Sequence, residues 1–207
     1  AKHLNIEYIS PGIIMEGGSV DFNGKGTVLT TTACLLNENR NPQLTQKQIE
    51  TYLTNFYGVE QILWLGDGIE GDDTNGHIDD ITRFVNADTV VTMVEPDKKD
   101  PNHAILNENL KQLQKMRLIN GKQLNIVELP MPETVIWEDQ RLPASYANFY
   151  ACNSRIIVPI FDCKNDQKAL DILQTCFPDR PVIGIDSVEI IWGLGSFHCL
   201  SQQEPLV

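Results

Sequence analysis

The chain has 207 residues, of which 42% are hydrophobic and 21% are charged, and its formal net charge is −12. This length and composition predict a single globular domain over residues 1–207. An acidic chain is not expected to bind nucleic acid, which requires basic patches. Its apolar runs all fall short of the roughly 18 residues that cross a membrane.

The five cysteines are an odd number, and no two of them form a C-x-x-C pair. Disulfide frameworks normally use an even set of cysteines in an oxidising compartment. The first residues also lack the basic and apolar pattern of a cleavable signal. The sequence therefore predicts free thiols and a cytoplasmic protein.

A strand–strand–helix–strand pattern recurs along the chain. Each copy opens with a predicted β-hairpin whose turn contains an asparagine, and these residues, Asn23, Asn86 and Asn153, are 63 and 67 positions apart. Amphipathic helices are predicted next, followed by short apolar strands. The predicted helices cover 41–57, 101–118 and 165–176, and the predicted strands cover 61–65, 124–129 and 181–185. About three such α/β units are expected, and the pattern alone permits either a stack or a closed ring.

Polar clusters lie where one predicted unit leads into the next. They are E-G-G-S at 16–19, D-D-T-N-G-H-I-D-D at 72–80 and S-F-H-C at 196–199. The junction at 142–150 is less charged and is expected to line a site rather than to react. If the units form a ring, these equivalent junctions converge on one centre.

Cys199 is the candidate nucleophile among the five thiols. Gly193 and Gly195 precede it and permit a close backbone approach. On a strand, the adjacent His198 would point to the opposite face, so His198 is expected to pack in the core. His77 is the candidate acid–base partner, and Asp79 would point to the same side as His77 on an extended segment.

A metal site is the alternative interpretation of the acidic cluster. Asp72, Asp73, His77, Asp79 and Asp80 are all possible ligands. However, the run supplies a single histidine, so it does not favour a metal centre. We expect neither a metal nor an organic cofactor.

Carboxylates beside a thiol and an imidazole indicate a cationic electrophile. Glu16 follows an apolar stretch and precedes two glycines, which is typical of a carboxylate held in a pocket. Carboxylates repel the oxyanion of ordinary acyl transfer but bind a planar guanidinium in bidentate fashion. Attack of a thiolate on a guanidinium carbon fits this set of residues best.

Five motifs in this order resemble the agmatine deiminase family, which groups with bacterial peptidylarginine deiminases among guanidine-modifying enzymes. The motifs are E-G-G-S, C-L-L-N-E-N-R-N-P, G-D-D-T-N-G-H-I-D-D, L-P-A-S-Y-A-N-F-Y and S-F-H-C-L-S-Q-Q-E-P. The resemblance covers essentially the whole chain. It implies a pentein-type α/β propeller of five strand–strand–helix–strand modules, with about three of the five in this chain.

The resemblance also implies a role for each catalytic candidate. Cys199 would form a covalent thiouronium intermediate, and His77 would protonate the departing ammonia and then activate water. Glu16 and Asp79 would bind the guanidinium nitrogens. The reaction would convert agmatine to N-carbamoylputrescine and ammonia, without a metal or cofactor.

The substrate-binding candidates surround this centre. Asp73 would receive the distal amine of agmatine. Asn75 and Gly76 would shape the loop, and Gly195 would permit the approach to the thiol. The partner expected from these roles is a small cationic guanidine compound.

Two departures from the family pattern leave alternatives open. The Trp-x-Arg-Asp-type motif of the family's N-terminal segment has no match, so about two modules are expected to be missing. Leu194 also stands where the family usually has glycine. A peptidylarginine deiminase with the same chemistry, and an incomplete fragment with only a binding or structural role, are the competing interpretations. A homodimer, or a second chain that supplies the missing modules, is also possible.

Overall fold

The computed structural model describes residues 7–203, so Glu204 and Pro205 of the last motif lie outside the described residues. Its helices are α1 (Thr32–Leu35), α2 (Gln46–Tyr57), α3 (Pro101–Lys115) and α4 (Asp166–Cys176). Its strands are β1 (Val20–Phe22), β2 (Thr27–Thr31), β3 (Gln61–Leu65), β4 (Thr82–Phe84), β5 (Thr89–Val94), β6 (Asn125–Pro130), β7 (Ile136–Trp137), β8 (Gln140–Arg141), β9 (Tyr150–Ala151), β10 (Ile156–Ile160) and β11 (Val182–Asp186).

Three three-stranded sheets share one topology. In each sheet the central strand pairs antiparallel with the strand before it and parallel with the strand after it. The parallel partner requires a crossover, and a helix supplies it each time. We call β1–β3 unit 1, β4–β6 unit 2 and β9–β11 unit 3. The expected α/β class is confirmed.

Capping groups mark the starts of α2 and α3. The first long helix was predicted over 41–57 but begins at Gln46, because Thr45 and Gln48 form a reciprocal capping box there. It ends at Gly58, whose φ of 67° is left-handed. In α3, Pro101 occupies the first turn and the Asp100 side chain accepts a hydrogen bond from a backbone N–H.

Some elements lay outside the predicted pattern. They are α1, the β7–β8 hairpin and four short 3₁₀ turns, three of which carry residues of the polar junctions. These segments are too short to show hydrophobic periodicity, so the sequence could not predict them. They matter because they fix the direction of the polar side chains.

The core runs from one unit to the next. One cluster joins unit 1 to unit 2 through Leu29, Leu65, Val90 and Leu113. Another joins unit 2 to unit 3 and includes Met93, Leu106, Phe149, Val158 and Leu173. Hydrophobic clusters therefore join each unit to the next over the described residues.

A buried arginine connects the three units through hydrogen bonds. Arg83 of β4 donates from Nε to Asp21 Oδ1 of β1 at 2.6 Å. Its Nη1 donates to the carbonyl oxygens of Ala147 and Phe149, each at 3.2 Å, just before β9. The other oxygen of Asp21 accepts the Phe84 N–H at 2.6 Å. These contacts give the buried charges of Arg83 and Asp21 their hydrogen-bond partners and hold the three units together.

Replacing Asp21 by alanine is expected to lower the free energy of unfolding by about 3–5 kcal/mol, because Arg83 would remain buried without its counter-charge. Urea unfolding of the variant and wild type measures this. Glu133→Ala is the control: it removes the exposed ion pair with Lys164 and should cause no measurable change. An Asp21→Ala protein as stable as the control would contradict the role given to the Arg83 pair.

Among residues 7–203, no helix is both long and apolar enough to cross a membrane. All five cysteines lie within this range and carry free thiols.

Candidate active site

The polar junctions of the three units meet at a cavity of about 340 Å³. Its wall contains Glu16, Gly17, Gly18, Asp73, Thr74, His77, Gly193, Leu194, Gly195, His198, Cys199, Leu200, Ser201, Gln202 and Gln203. Residues that are up to 187 positions apart in the chain thus face one space. Of the eight predicted site residues, all but Asp79, Asn75 and Gly76 line it.

Glu16 enters the cavity from a short 3₁₀ turn at Gly17–Ser19. The buried Arg40 guanidinium holds its carboxylate, with Nε 2.7 Å from Oε1 and 3.0 Å from Oε2. Gly18 follows in the turn, where a Cβ atom would stand 2.5 Å from His77 Nδ1 and 2.8 Å from Asp79 Oδ2. Only glycine lets the chain pass this close to the two side chains.

Asp72 fixes the loop before His77 by accepting hydrogen bonds from the backbone of that loop. Asp72 Oδ2 accepts the N–H groups of Gly76 and His77 at 2.8 and 3.1 Å. Asn75 and Gly76 both have positive φ, 62° and 90°, which reverses the chain. Asn75 and Gly76 thus shape this loop, and the exposed Asp73 stands at the cavity wall.

His77 is buried and precedes a 3₁₀ turn at Ile78–Asp80. The sequence predicted an extended segment here, and that prediction is wrong. The turn, rather than a strand, brings His77 Nδ1 within 3.9 Å of Asp79 Oδ1. His77 Nε2 lies 4.0 Å from Glu16 Oε1 and has no hydrogen-bond partner within the described residues.

The surroundings of His77 favour its charged form. Burial lowers the pKa of the imidazole, but the Cys34 thiol, Glu16 and Asp79 outweigh it and raise the pKa to about 10. At neutral pH the ring is therefore an imidazolium that can donate a proton. Cys34 reaches it from α1, which Thr31 caps by accepting the Cys34 N–H.

Asp79 is fully buried and lies at the centre of the site. Its Oδ2 is 2.6 Å from His198 Nδ1 and 3.5 Å from Cys199 Sγ. Its Oδ1 has no hydrogen-bond partner within residues 7–203. A buried carboxylate oxygen without a donor is costly, and a cationic ligand in the cavity would supply one.

The expectation that His198 packs in the core is wrong. It assumed that residues 198 and 199 lie on a strand, but the segment from 197 to 200 is a turn in which both side chains contact Asp79. His198 is buried and is therefore a polar member of the site.

Asn148, in the junction at 142–150, organises the cysteine turn. Its Oδ1 accepts the Ser196 hydroxyl at 2.9 Å and the His198 N–H at 3.0 Å. Its Nδ2 donates to Cys199 Sγ at 3.0 Å and to Asp80 Oδ1 at 2.9 Å. Sequence reasoning missed this residue because an uncharged amide carries no chemical signature, although its place in a junction was a signal.

Cys199 is exposed to the cavity, and its sulfur contacts both Asn148 and Asp79. Burial of the sulfur and the charges of Asp80 and Asp79 raise the pKa of the thiol well above its ordinary value. The resting residue is therefore a neutral thiol. A Cβ atom at Gly195 would stand 2.7 Å from Cys199 Cβ, so this glycine leaves space for the Cys199 side chain.

Asp79 lies 3.9 Å from the His77 ring, but the other carboxylates of the acidic run have separate roles. Asp72 caps its own loop, Asp73 is exposed, and Asp80 binds Asn148. The ligand-like groups among residues 7–203 are instead Glu16–Cys34–His77 and Asp79–Asp80–Cys199, which share no member. Burial and the neighbouring Asp79 raise the pKa of Asp80, so this pair of acids holds less than two negative charges.

Replacing Asn148 by alanine is expected to lower the alkylation rate of Cys199 by about 10–100-fold, because the thiolate loses a hydrogen bond worth about 1.5–3 kcal/mol. Iodoacetamide labelling of this cysteine, followed by peptide mass spectrometry, measures the rate. Asn109→Ala is the matched control, since Asn109 is also buried but bonds the backbone at Gly66 and Asp67. Equal rates in both variants would contradict the role of Asn148.

Solved structures of agmatine deiminases have the fold seen here. The agmatine deiminase of Enterococcus faecalis, captured catalysing its reaction, is 37% identical with a TM-score of 0.90, covering 95% of this chain and 58% of that chain. A Cys-to-Ser variant of the C. jejuni agmatine deiminase with substrate bound is 39% identical with a TM-score of 0.85, covering 90% and 55%. The class of protein is thus that of α/β proteins with the agmatine deiminase fold.

The sequence matches the Porphyromonas-type peptidyl-arginine deiminase family over residues 1–205, and the chain belongs to that family. A curated relative from Legionella pneumophila, provisionally named as an agmatine deiminase, is 38% identical over 205 residues. The match covers 99% of this chain and 59% of the relative. The chain thus spans less than two thirds of the relatives' length.

Proposed function

We propose that the protein is an agmatine deiminase that hydrolyses agmatine to N-carbamoylputrescine and ammonia through a covalent intermediate on Cys199. The observation that carries the proposal is the buried Oδ1 of Asp79, which has no partner within residues 7–203 and belongs to the carboxylate whose Oδ2 lies 3.5 Å from the Cys199 sulfur. A guanidinium that donates to this oxygen brings its carbon next to the thiol. Glu16, on the same wall, supplies the second carboxylate.

The substrate's charge would also activate the nucleophile. The carboxylates of Asp80 and Asp79 contribute to the raised pKa of Cys199. A guanidinium bound beside Asp79 offsets this negative charge, lowers the pKa of the thiol and lets its proton leave through the cavity. The thiolate would therefore form in the presence of a cationic substrate.

Bond making and breaking would then proceed in two steps. The thiolate forms a C–S bond at the guanidinium carbon, and the His77 imidazolium gives its proton to the departing nitrogen, so that ammonia leaves and a thiouronium remains. The neutral His77 next takes a proton from water, whose oxygen attacks the same carbon. The C–S bond then breaks and restores the thiolate, while the added hydroxyl loses its remaining proton to solvent through the cavity. The carbon keeps the oxygen as the carbonyl of N-carbamoylputrescine.

Asp73 supports agmatine over peptidylarginine. It is exposed at the cavity wall and carries a carboxylate that suits the distal amine of agmatine. Free arginine or a peptide would bring a carboxylate or an amide to this end. Gln202 and Gln203, on the same wall, can donate hydrogen bonds to such groups and keep peptidylarginine as the competing substrate.

Replacing Asp73 by asparagine is expected to raise KM for agmatine about 10-fold with a small change in kcat, because the lost contact binds ground state and transition state alike. Steady-state ammonia release measures both constants. Glu70→Gln, another acid in the same loop region but outside the cavity wall, is the control. An unchanged KM would discard the role of Asp73 and leave the chemistry at Cys199 intact.

The whole enzyme would be a five-module pentein propeller, of which this chain forms about three modules. Repetition of the same sheet topology three times supports this arrangement. The remaining modules would come from further sequence or from a second chain, as in a homodimer. A fragment without them would be a binding or structural remnant.

Ammonia release from agmatine, peptidylarginine and free arginine by the protein and its Cys199→Ser variant tests the proposal. Cysteine-dependent turnover of agmatine alone is the expected outcome. Turnover of peptidylarginine instead would replace the substrate but keep the chemistry. Inactivity with all three would contradict an active enzyme and favour the incomplete fragment.

A further inference from the structure

Arg40 is a buried cation that no step of the proposed reaction uses. It ends the C-L-L-N-E-N-R segment that begins within α1, and only 8% of its surface is exposed. Burying a guanidinium is costly unless every donor finds an acceptor. The acceptors of Arg40 therefore indicate which residues Arg40 holds in place.

One edge of the guanidinium holds Glu16. Nε donates to Oε1 at 2.7 Å and to Oε2 at 3.0 Å, and Nη2 also lies 2.7 Å from Oε1. This fork fixes both the position and the plane of the carboxylate. The same carboxylate lies 4.0 Å from His77 Nε2.

The other edge holds the loop that carries His77. Nη2 donates to the Thr74 carbonyl at 2.6 Å, and Nη1 donates to Asn75 Oδ1 at 3.0 Å. Asn39 adds a hydrogen bond from its Nδ2 to the same Asn75 oxygen at 2.9 Å. One side chain thus ties Glu16 of unit 1 to the loop two residues before His77.

From these contacts we propose that Arg40 is a positioning residue that sets the distance between Glu16 and the His77 imidazole and keeps Glu16 ionised. It touches neither the substrate nor the reacting atoms and acts through these two residues. The inference rests on the proposed function for its effect on turnover, but its effect on Glu16 is independent of any reaction.

The charges around Glu16 are consistent with this role. His77 contributes most, ahead of Arg40, to a pKa of about 2 for the carboxyl group, against the opposing effect of burial. Arg40 and Cys34 face Glu16 from the segment that includes α1, and His77 faces it from the loop. Arg40 is the permanently charged member of this set, because a guanidinium does not lose its proton in proteins.

Three variants separate charge, geometry and stability. Arg40→Gln removes both the charge and the fork, whereas Arg40→Lys keeps a charge for Glu16 but cannot bridge to Thr74 and Asn75 at once. Arg141→Gln is the matched control, since Arg141 makes a similar two-oxygen contact with Asp100 outside the cavity wall. Thermal unfolding of all three gives the folded fraction.

The carbon chemical shift of the Glu16 carboxylate, followed by NMR against pH and assigned with Glu16→Gln, is the direct readout. Arg40→Gln is expected to raise the pKa of Glu16 by about 1 or more, whereas Arg40→Lys and Arg141→Gln leave it near the wild-type value. For agmatine, Arg40→Gln should lower kcat/KM by about 100-fold and move the acid limb of its pH profile upward, and Arg40→Lys should lower kcat/KM less without moving the limb.

The outcomes distinguish this inference from the proposed function. If wild type turns over no agmatine, the proposed function fails, while the Glu16 titration still decides the role of Arg40. An unchanged Glu16 titration in Arg40→Gln overturns the inference. The inference is also overturned if Arg40→Gln loses kcat/KM only in proportion to its folded fraction, as Arg141→Gln does, and its pH profile does not move.

Discussion

Replacing Cys199 by serine is expected to lower kcat for agmatine by at least about 10⁴-fold. A serine hydroxyl stays protonated in this acidic surrounding, because the carboxylate oxygen that contacts position 199, Asp79 Oδ2, is already engaged by His198 Nδ1. Of the nearby groups, Asp79 accepts from His198 and Asn148 is a donor to the sulfur. His77 is an imidazolium at neutral pH, so it cannot take the hydroxyl proton.

The fold should survive this replacement, because Cys199 is exposed to the cavity and a serine is the same shape. Steady-state ammonia release and thermal unfolding measure the two properties together. Cys176→Ser is the control for thiol loss, since Cys176 ends α4, away from the cavity wall. Retention of more than about a hundredth of wild-type kcat in Cys199→Ser would mean that another group attacks the carbon.

Replacing His77 by asparagine is expected to lower kcat by about 10²–10⁴-fold, the usual contribution of a positioned acid–base group. Asparagine fills similar space but can neither protonate the departing nitrogen nor accept a proton from water. Because both steps need the imidazole, KM should change much less than kcat. His103→Asn is the control, since His103 bonds the Glu95 carbonyl away from the cavity wall.

The charge of His77 should also change how the free energy of unfolding depends on pH. Its pKa is raised to about 10, so its ionic contribution is fully present below about pH 6.5, the unfolded value, and is lost as the pH rises through 10. The difference in unfolding free energy between wild type and His77→Asn should therefore shrink from pH 6 to pH 10. A constant difference, or one that grows, would contradict a charged imidazole at this position.

The strands and helices were largely predictable because each depends on local signals. Asparagine turns marked the hairpins at Asn23, Asn86 and Asn153, and the strand predicted at 61–65 has the same bounds in the structure. The start of α2 was missed because the capping box at Thr45 outweighs the apolar pattern that precedes it.

The site was predictable to the extent that its residues carry chemistry. A thiol, an imidazole and several carboxylates stood out in the junctions, and the cavity wall contains five of the eight chosen residues. Asn148, Arg40 and His198 were missed because their roles depend on partners at least 24 positions away, such as Cys199, Glu16 and Asp79. The turn that redirects His198 is likewise set by contacts with Asn148 that no local pattern encodes.

Acid quenching of the protein during turnover of agmatine, followed by intact and peptide mass spectrometry, examines the covalent step itself. We expect a fraction of the chain to gain the mass of agmatine less ammonia, located on Cys199, and the fraction to grow in His77→Asn if water attack slows more than ammonia loss. Cys199→Ser should show no such adduct. Nucleophilic catalysis by Cys199 would be contradicted if wild type turned over agmatine but neither wild type nor His77→Asn formed an adduct. An adduct on a different residue would contradict it as well.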